Sequence, residues 1–142
     1  MSTTTAPALR IPAVNRPVAI LGSVAVTVAV NLIVWMLGLA AGGSFETTDA
    51  GETSEVTASV VVVSSAVPLM IGMIAAALLS YLWVGVLRVA QVVGAALAVA
   101  TIGLTLAADF DLVSTLALSA MHVVLAPALV VGLEAMRNRL GR

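Results

Sequence analysis

The feature that most restricts this chain is a set of four long stretches almost free of charge: Val18 to Ala41, Ala58 to Leu87, Val89 to Ala108 and Leu112 to Met136. Crossing about 30 Å of hydrocarbon at about 1.5 Å per residue takes about 20 apolar residues, and each stretch meets that length. Only Glu134 intrudes, in the last turn of the fourth. None alternates polar and apolar residues at period two, which excludes a membrane barrel in spite of the β-branched run Val60 to Val63. Helices satisfy every backbone group internally, as hydrocarbon demands. The expected fold is therefore an all-α integral membrane four-helix bundle, antiparallel and up-down-up-down.

Composition points to the same solvent. Hydrophobic residues make up 61% of the chain and charged residues 9%, against about 25% charged in a typical soluble domain. A soluble fold of this size buries only about 68–70% of the surface its unfolded chain exposes, which would leave much apolar surface in water. The net charge of −1 and the absence of lysine give no basic tract, so nucleic acid is not an expected partner. Without cysteine there can be no disulfide, thiolate metal site or lipidated thiol. Arg10 and Arg16 ahead of an apolar run imitate a signal peptide, but the run from Val18 to Ala41 far exceeds the roughly 7–15 residues of a cleaved segment and is read as retained.

Charge sets the expected orientation. Arg10 and Arg16 precede the first stretch, Arg88 separates the second and third, and Arg137, Arg139 and Arg142 follow the fourth. Loop 42–57 carries Glu46, Asp49, Glu52 and Glu55 without a base, and the last loop is Asp109-Phe110-Asp111. Four crossings place all the arginines on one face and both acidic loops on the other, and the positive-inside rule makes the arginine face cytoplasmic, with both termini inside the cell membrane. Residues 1–16 are expected to form a disordered cytoplasmic tail, and 17–142 a single four-helix domain. The outer loop is expected to be flexible, with a short helical turn near Phe45. The tight turn Gly85-Val86-Leu87-Arg88 should make the second and third spans antiparallel neighbours.

Helix association in lipid leans on small residues that let backbones approach. Gly72, Ala76 and Ser80 form such a seam on the second span, Ala90, Gly94 and Ala98 on the third, and Gly38 with Gly42 on the first. Pro68 and Pro127 each remove a backbone hydrogen bond inside a span and are the expected kinks. Trp35, Tyr81 and Trp83 fall toward span ends, where aromatic anchors belong.

Polar groups inside a membrane are costly, so the few present are the candidates for function. Asn31 lies roughly 20 Å from the cytoplasmic edge and His122 roughly 15 Å from the outer edge, which puts them at one depth and within reach of each other. His122 is the sole histidine. It is the only mid-span side chain that changes charge near neutral pH, and is read either as a proton carrier or ligand or as hydrogen-bonding glue between helices. Ser64, Ser65 and Ser119 complete the mid-membrane set. Ser119 and His122 share a helix face, yet no acid at their depth would orient the imidazole for nucleophilic chemistry. One histidine without cysteine falls short of a zinc site, and neither metal nor cofactor is expected.

The stretch Val30-Asn31-Leu32-Ile33-Val34-Trp35, a proline in the second span and Ala120-Met121-His122-Val123-Val124 resemble a family of small actinobacterial membrane proteins, domain of unknown function 6069. The likeness covers nearly the whole chain in span count, loop lengths and alanine–valine-rich composition. It implies four spans and Asn31 with His122 as the polar signature, and it implies no activity.

The residues thus predict a non-catalytic accessory, scaffold or assembly subunit, partnered by membrane lipids and by itself or a larger membrane complex. The alternative is a small transporter or a lipid- or small-molecule-binding protein, with a pocket between kinked helices lined by Asn31, Ser64, Ser65, Pro68 and His122.

Overall fold

The computed structural model describes residues 11–49 and 51–141. Its order is α1 (Arg16–Ala40), β1 (Glu46–Asp49), β2 (Glu52–Glu55), α2 (Ala58–Leu79), α3 (Val86–Ala107) and α4 (Leu112–Leu140). All four helices are long and apolar enough to cross a membrane. Three begin with a side-chain cap that satisfies an otherwise orphaned N–H. Asn15 Oδ1 accepts from Val18 N at 3.0 Å, Thr57 Oγ1 from Val60 N at 3.5 Å, and Asp111 Oδ1 from Ser114 N at 2.9 Å. Pro17, in the first turn of α1, sits where its missing N–H costs nothing.

The second helix stops earlier than its apolar stretch. α2 ends at Leu79, where Ser80 Oγ donates to the Ala77 carbonyl at 2.6 Å, and a turn leads to α3 at Val86. The turn hides from a hydropathy reading because it is itself apolar, with Leu82 86% exposed. Arg88 consequently lies inside the first turn of α3 rather than between two spans.

The acidic loop is not a flexible segment with a helical turn. It is an antiparallel hairpin in which Glu46 faces Glu55, Thr47 faces Ser54, Thr48 faces Thr53 and Asp49 faces Glu52. Gly51, at φ +86°, supplies the left-handed backbone its turn needs. At the base of the hairpin, Phe45 takes φ +55° and is fully buried.

The expected tail falls mostly on residues 1–10, outside the described residues, as does Arg142. Residues 11–15, expected to belong to it, lie along the end of α4: Val14 N donates to the Ala135 carbonyl at 3.1 Å and Asn138 Nδ2 to the Ile11 carbonyl at 3.2 Å.

α1 packs against both α2 and α4, and α3 packs against α4. Although joined by a short turn, α2 and α3 touch sparingly, which corrects the expectation of a close hairpin. One core cluster gathers Ala19, Leu69, Met73, Ala76, Leu133 and Met136 among others, and a second joins Phe45, Val61, Leu118 and Met121 beneath the β-hairpin. The glycine seams divide accordingly. A methyl on Gly94 would meet Leu129, and one on Gly38 would meet Phe45 and Ala117, so both are close-approach sites. Gly72 faces open space, and Gly42, at φ +93°, serves a turn instead. A methyl on Gly132 would meet Ser23 and Met73, a contact the sequence reading did not single out although Ala128 stands four residues earlier.

Leucine, valine and isoleucine side chains stand exposed on every helix, among them Leu21, Ile71, Leu97 and Leu116. Water would tolerate no such continuous apolar surface on a single chain, whereas lipid requires it. The protein is a multi-pass membrane protein.

Candidate functional site

The predicted polar residues separate into two places. On the α1–α2 contact, Asn31 is buried and its Nδ2 donates to Ser65 Oγ at 2.8 Å. Asn31 Oδ1 and Thr27 Oγ1, one turn apart on α1, are buried without a described partner. Both side chains of this seam are buried, and Asn31 makes no hydrogen bond to His122. The equal-depth argument placed the two residues at one level but could not fix which way each faces around its helix.

His122 lies instead on the wall of a cavity of about 340 Å³ where α2 and α3 part. Ser64, Pro68, Leu69 and Gly72 line it from α2, Gly94, Leu97, Ala98 and Thr101 from α3, and His122, Leu125 and Leu129 from α4. Of the five residues expected around a pocket, Ser64, Pro68 and His122 are here, and Asn31 and Ser65 are not. The whole α3 wall escaped the sequence reading. Its signal was present in Gly94 and Ala98, which read as a packing seam with Ala90, and in Thr101, which was not singled out.

The polar groups of this wall are largely consumed by their own helices. Ser64 Oγ donates to the Val60 carbonyl at 2.6 Å and Thr101 Oγ1 to the Ala98 carbonyl at 2.8 Å. His122 Nδ1 is 2.8 Å from the Leu118 carbonyl. A carbonyl only accepts, so Nδ1 carries the hydrogen, and in the neutral ring Nε2 offers a lone pair. Nε2 has no hydrogen-bond partner among the described residues, and it joins the acceptor lone pairs of the Ser64 and Thr101 hydroxyls on a mostly apolar wall. Ser119, one turn earlier, has a buried hydroxyl without a described partner. Both prolines lie within continuous helices, Pro68 on the cavity wall and Pro127 on an exposed part of α4.

The ends of the bundle are polar. Asp111 ties the hairpin to α4: its Oδ2 accepts from Ser44 N at 3.0 Å, Ser44 Oγ at 2.9 Å and Ser114 Oγ at 2.5 Å. These donors, the Ser114 hydroxyl foremost, hold its carboxyl well below the usual carboxylate range. Ser114 Oγ in turn accepts from Phe45 N at 2.8 Å, and Trp35 Nε1 donates to the Val56 carbonyl at 2.9 Å. Trp35 is thus bonded into the hairpin base as well as standing at a span end. At the opposite end Arg16 donates to Ser80 Oγ, Arg137 pairs with Glu134, and Gln91 Nε2 donates to Glu134 at 3.1 Å, across to α4 rather than within its own turn. Arg139 is exposed. Among the described residues, no three His, Cys, Asp or Glu side chains converge as a metal site requires.

A family described as a family of unknown function, DUF6069, matches residues 11–139. The chain belongs to this family. No curated protein and no solved structure matches it. The DUF6069 assignment carries no chemistry, so functional inference rests on the cavity and the residues around it.

Proposed function

We propose that this DUF6069 protein binds a small, mostly apolar molecule with one hydrogen-bond donor, such as a hydroxyl, in the α2–α3–α4 cavity. The observation that carries this reading is the unengaged Nε2 of His122 on a mostly apolar wall. A hydroxyl donating to it would satisfy both groups out of water, where an unpaired polar group is costly. At roughly the 30 Å³ that a water molecule occupies in the liquid, the cavity has room for about eleven heavy atoms. A medium-chain primary alcohol is of that size.

The role is read as non-catalytic, because no acid at the depth of the imidazole would orient it to activate a serine or serve as second proton carrier. The protein would lie in the cytoplasmic membrane with both termini inside, as the placement of the arginines argues. A tag at either end that was reachable from outside intact cells would refute that orientation.

Because the chain has a single histidine, the ¹⁵N spectrum of histidine-labelled protein reports one ring. Adding 1-decanol should shift the Nε2 resonance, and decane should not. A hydrogen bond of about 1 kcal/mol predicts about fivefold tighter binding of the alcohol. Equal responses to the two would refute the reading. A second reading makes the protein an accessory or scaffold whose cavity receives a partner helix. Gly72 and Ala98 favour it, since small residues admit a close backbone. Native mass spectrometry from mild detergent distinguishes the two: a bound chain of protein mass supports the scaffold, and a strictly monomeric protein opposes it.

A further inference from the structure

We propose that the arginine-bearing end of the bundle holds the phosphate of an anionic phospholipid in a pocket between the start of α1 and the end of α4. The pocket is separate from the α2–α3–α4 cavity and measures about 230 Å³, with Asn15, Arg16 and Arg139 among its lining residues. No carboxylate of the described residues lines it, and the nearby Glu134 is already taken by Arg137 and Gln91. Arg16 and Arg139 therefore both border one small space, with no carboxylate of the described residues in its lining.

The site is built before any ligand arrives. Arg16 donates from Nε and Nη2 to Ser80 Oγ at 3.2 and 3.1 Å, and its guanidinium stacks on the Tyr81 ring, with Cζ 3.8 Å from the centroid. Ser80 Oγ can accept both because its own hydrogen goes to the Ala77 carbonyl. The clamp fixes the plane of the guanidinium and leaves Nη1 free. The backbone wall beside it is equally fixed, since Val14 bonds to Ala135 and Ile11 to Asn138. Asn15 uses Oδ1 to cap α1 and keeps its Nδ2 donors. A planar guanidinium held in place, a second on an exposed stem and an amide suit the oxygens of a phosphate, and basic pockets at the ends of membrane helices recruit anionic headgroups. Helices long enough to span a bilayer put this pocket at headgroup depth, which makes lipid the source of the phosphate.

The test uses the whole protein in nanodiscs of equal phosphatidylglycerol and phosphatidylcholine, extracted gently and weighed by native mass spectrometry. Wild type should retain phosphatidylglycerol preferentially. Arg16→Gln and Arg139→Gln should each reduce the preference about fivefold, and Arg139→Lys should keep most of it. Arg139 is exposed, so its substitution leaves the fold intact, and circular dichroism checks this. Arg88→Gln, which removes a charge from the same end but outside the pocket, should change little. Equal retention of the two lipids, an unchanged preference in the Arg16→Gln/Arg139→Gln protein, or an equal loss in Arg88→Gln would each overturn the proposal. Displacement of the bound lipid by inorganic phosphate would overturn lipid as the source.

Discussion

Phe45 is the clearest place to ask whether the hairpin is a structural part of the bundle. Its ring is fully buried, and its Cζ lies where a methyl on Gly38 would come within 2.6 Å. Truncation to alanine removes roughly 150 Å² of apolar burial, about 4 kcal/mol at roughly 25 cal/mol/Å², and inside the range of about 3–5 kcal/mol typical of Phe→Ala. The left-handed backbone gives no relief, because alanine meets the same steric penalty there. Gly38→Ala alone should cost about 1–3 kcal/mol through overpacking against the ring. In the double variant the new methyl enters space the ring has left, so the combined loss should fall about 1–3 kcal/mol short of the sum. Trp35, whose ring centroid is 6.2 Å from that of Phe45, reports the site by fluorescence once Trp83 is replaced by phenylalanine. Unfolding in mixed micelles by titrated dodecyl sulfate gives the four stabilities. Additivity within about 0.5 kcal/mol would refute the claim that the ring seals the seam between α1 and the start of α4.

Ser65→Ala leaves the buried Asn31 amide unpaired, so it should lower stability by about 1–2 kcal/mol, and Asn31→Leu/Ser65→Ala should recover most of that loss in the same micelle assay. Gly132→Ala drives a methyl into Ser23 and Met73 and should cost about 1–3 kcal/mol by thermal melting, whereas Gly72→Ala, with nothing within 4 Å, should be near neutral. Acid should loosen the hairpin from α4. Asp111 has a native pKa below its unfolded value, so its contribution is present above the unfolded pKa of about 3.9 and is lost as pH falls through the native one. The difference in Trp35 fluorescence titration between wild type and Asp111→Asn therefore isolates the carboxylate, and identical titrations would contradict its role.

What the sequence made legible, and what it did not, follows from the kind of information each residue carries. Length and apolarity fix that a segment can span, so four helices were readable from Val18, Ala58, Val89 and Leu112 onward. The rise per residue bears on depth alone, which is how Asn31 and His122 come to be expected at one level. Azimuth is different: a soluble helix marks its inner face by amphipathic periodicity, but these helices are apolar all round, and lipid-facing Leu21 or Leu97 looks like core Leu69 or Leu133. Hence Asn31 turned out to face Ser65 and His122 the opening beside α3. The hairpin was missed for the converse reason. Its strands are polar and short and bury almost nothing themselves, and their place is set by bonds from Ser44 and Phe45 to Asp111 and Ser114, partners distant in sequence. The same reasoning bears on function. In a bundle whose side chains are uniform in character, a polar atom left without a partner stands out more than any motif does, and His122 Nε2 beside the parted helices α2 and α3 is such an atom at the wall of a cavity open to a ligand.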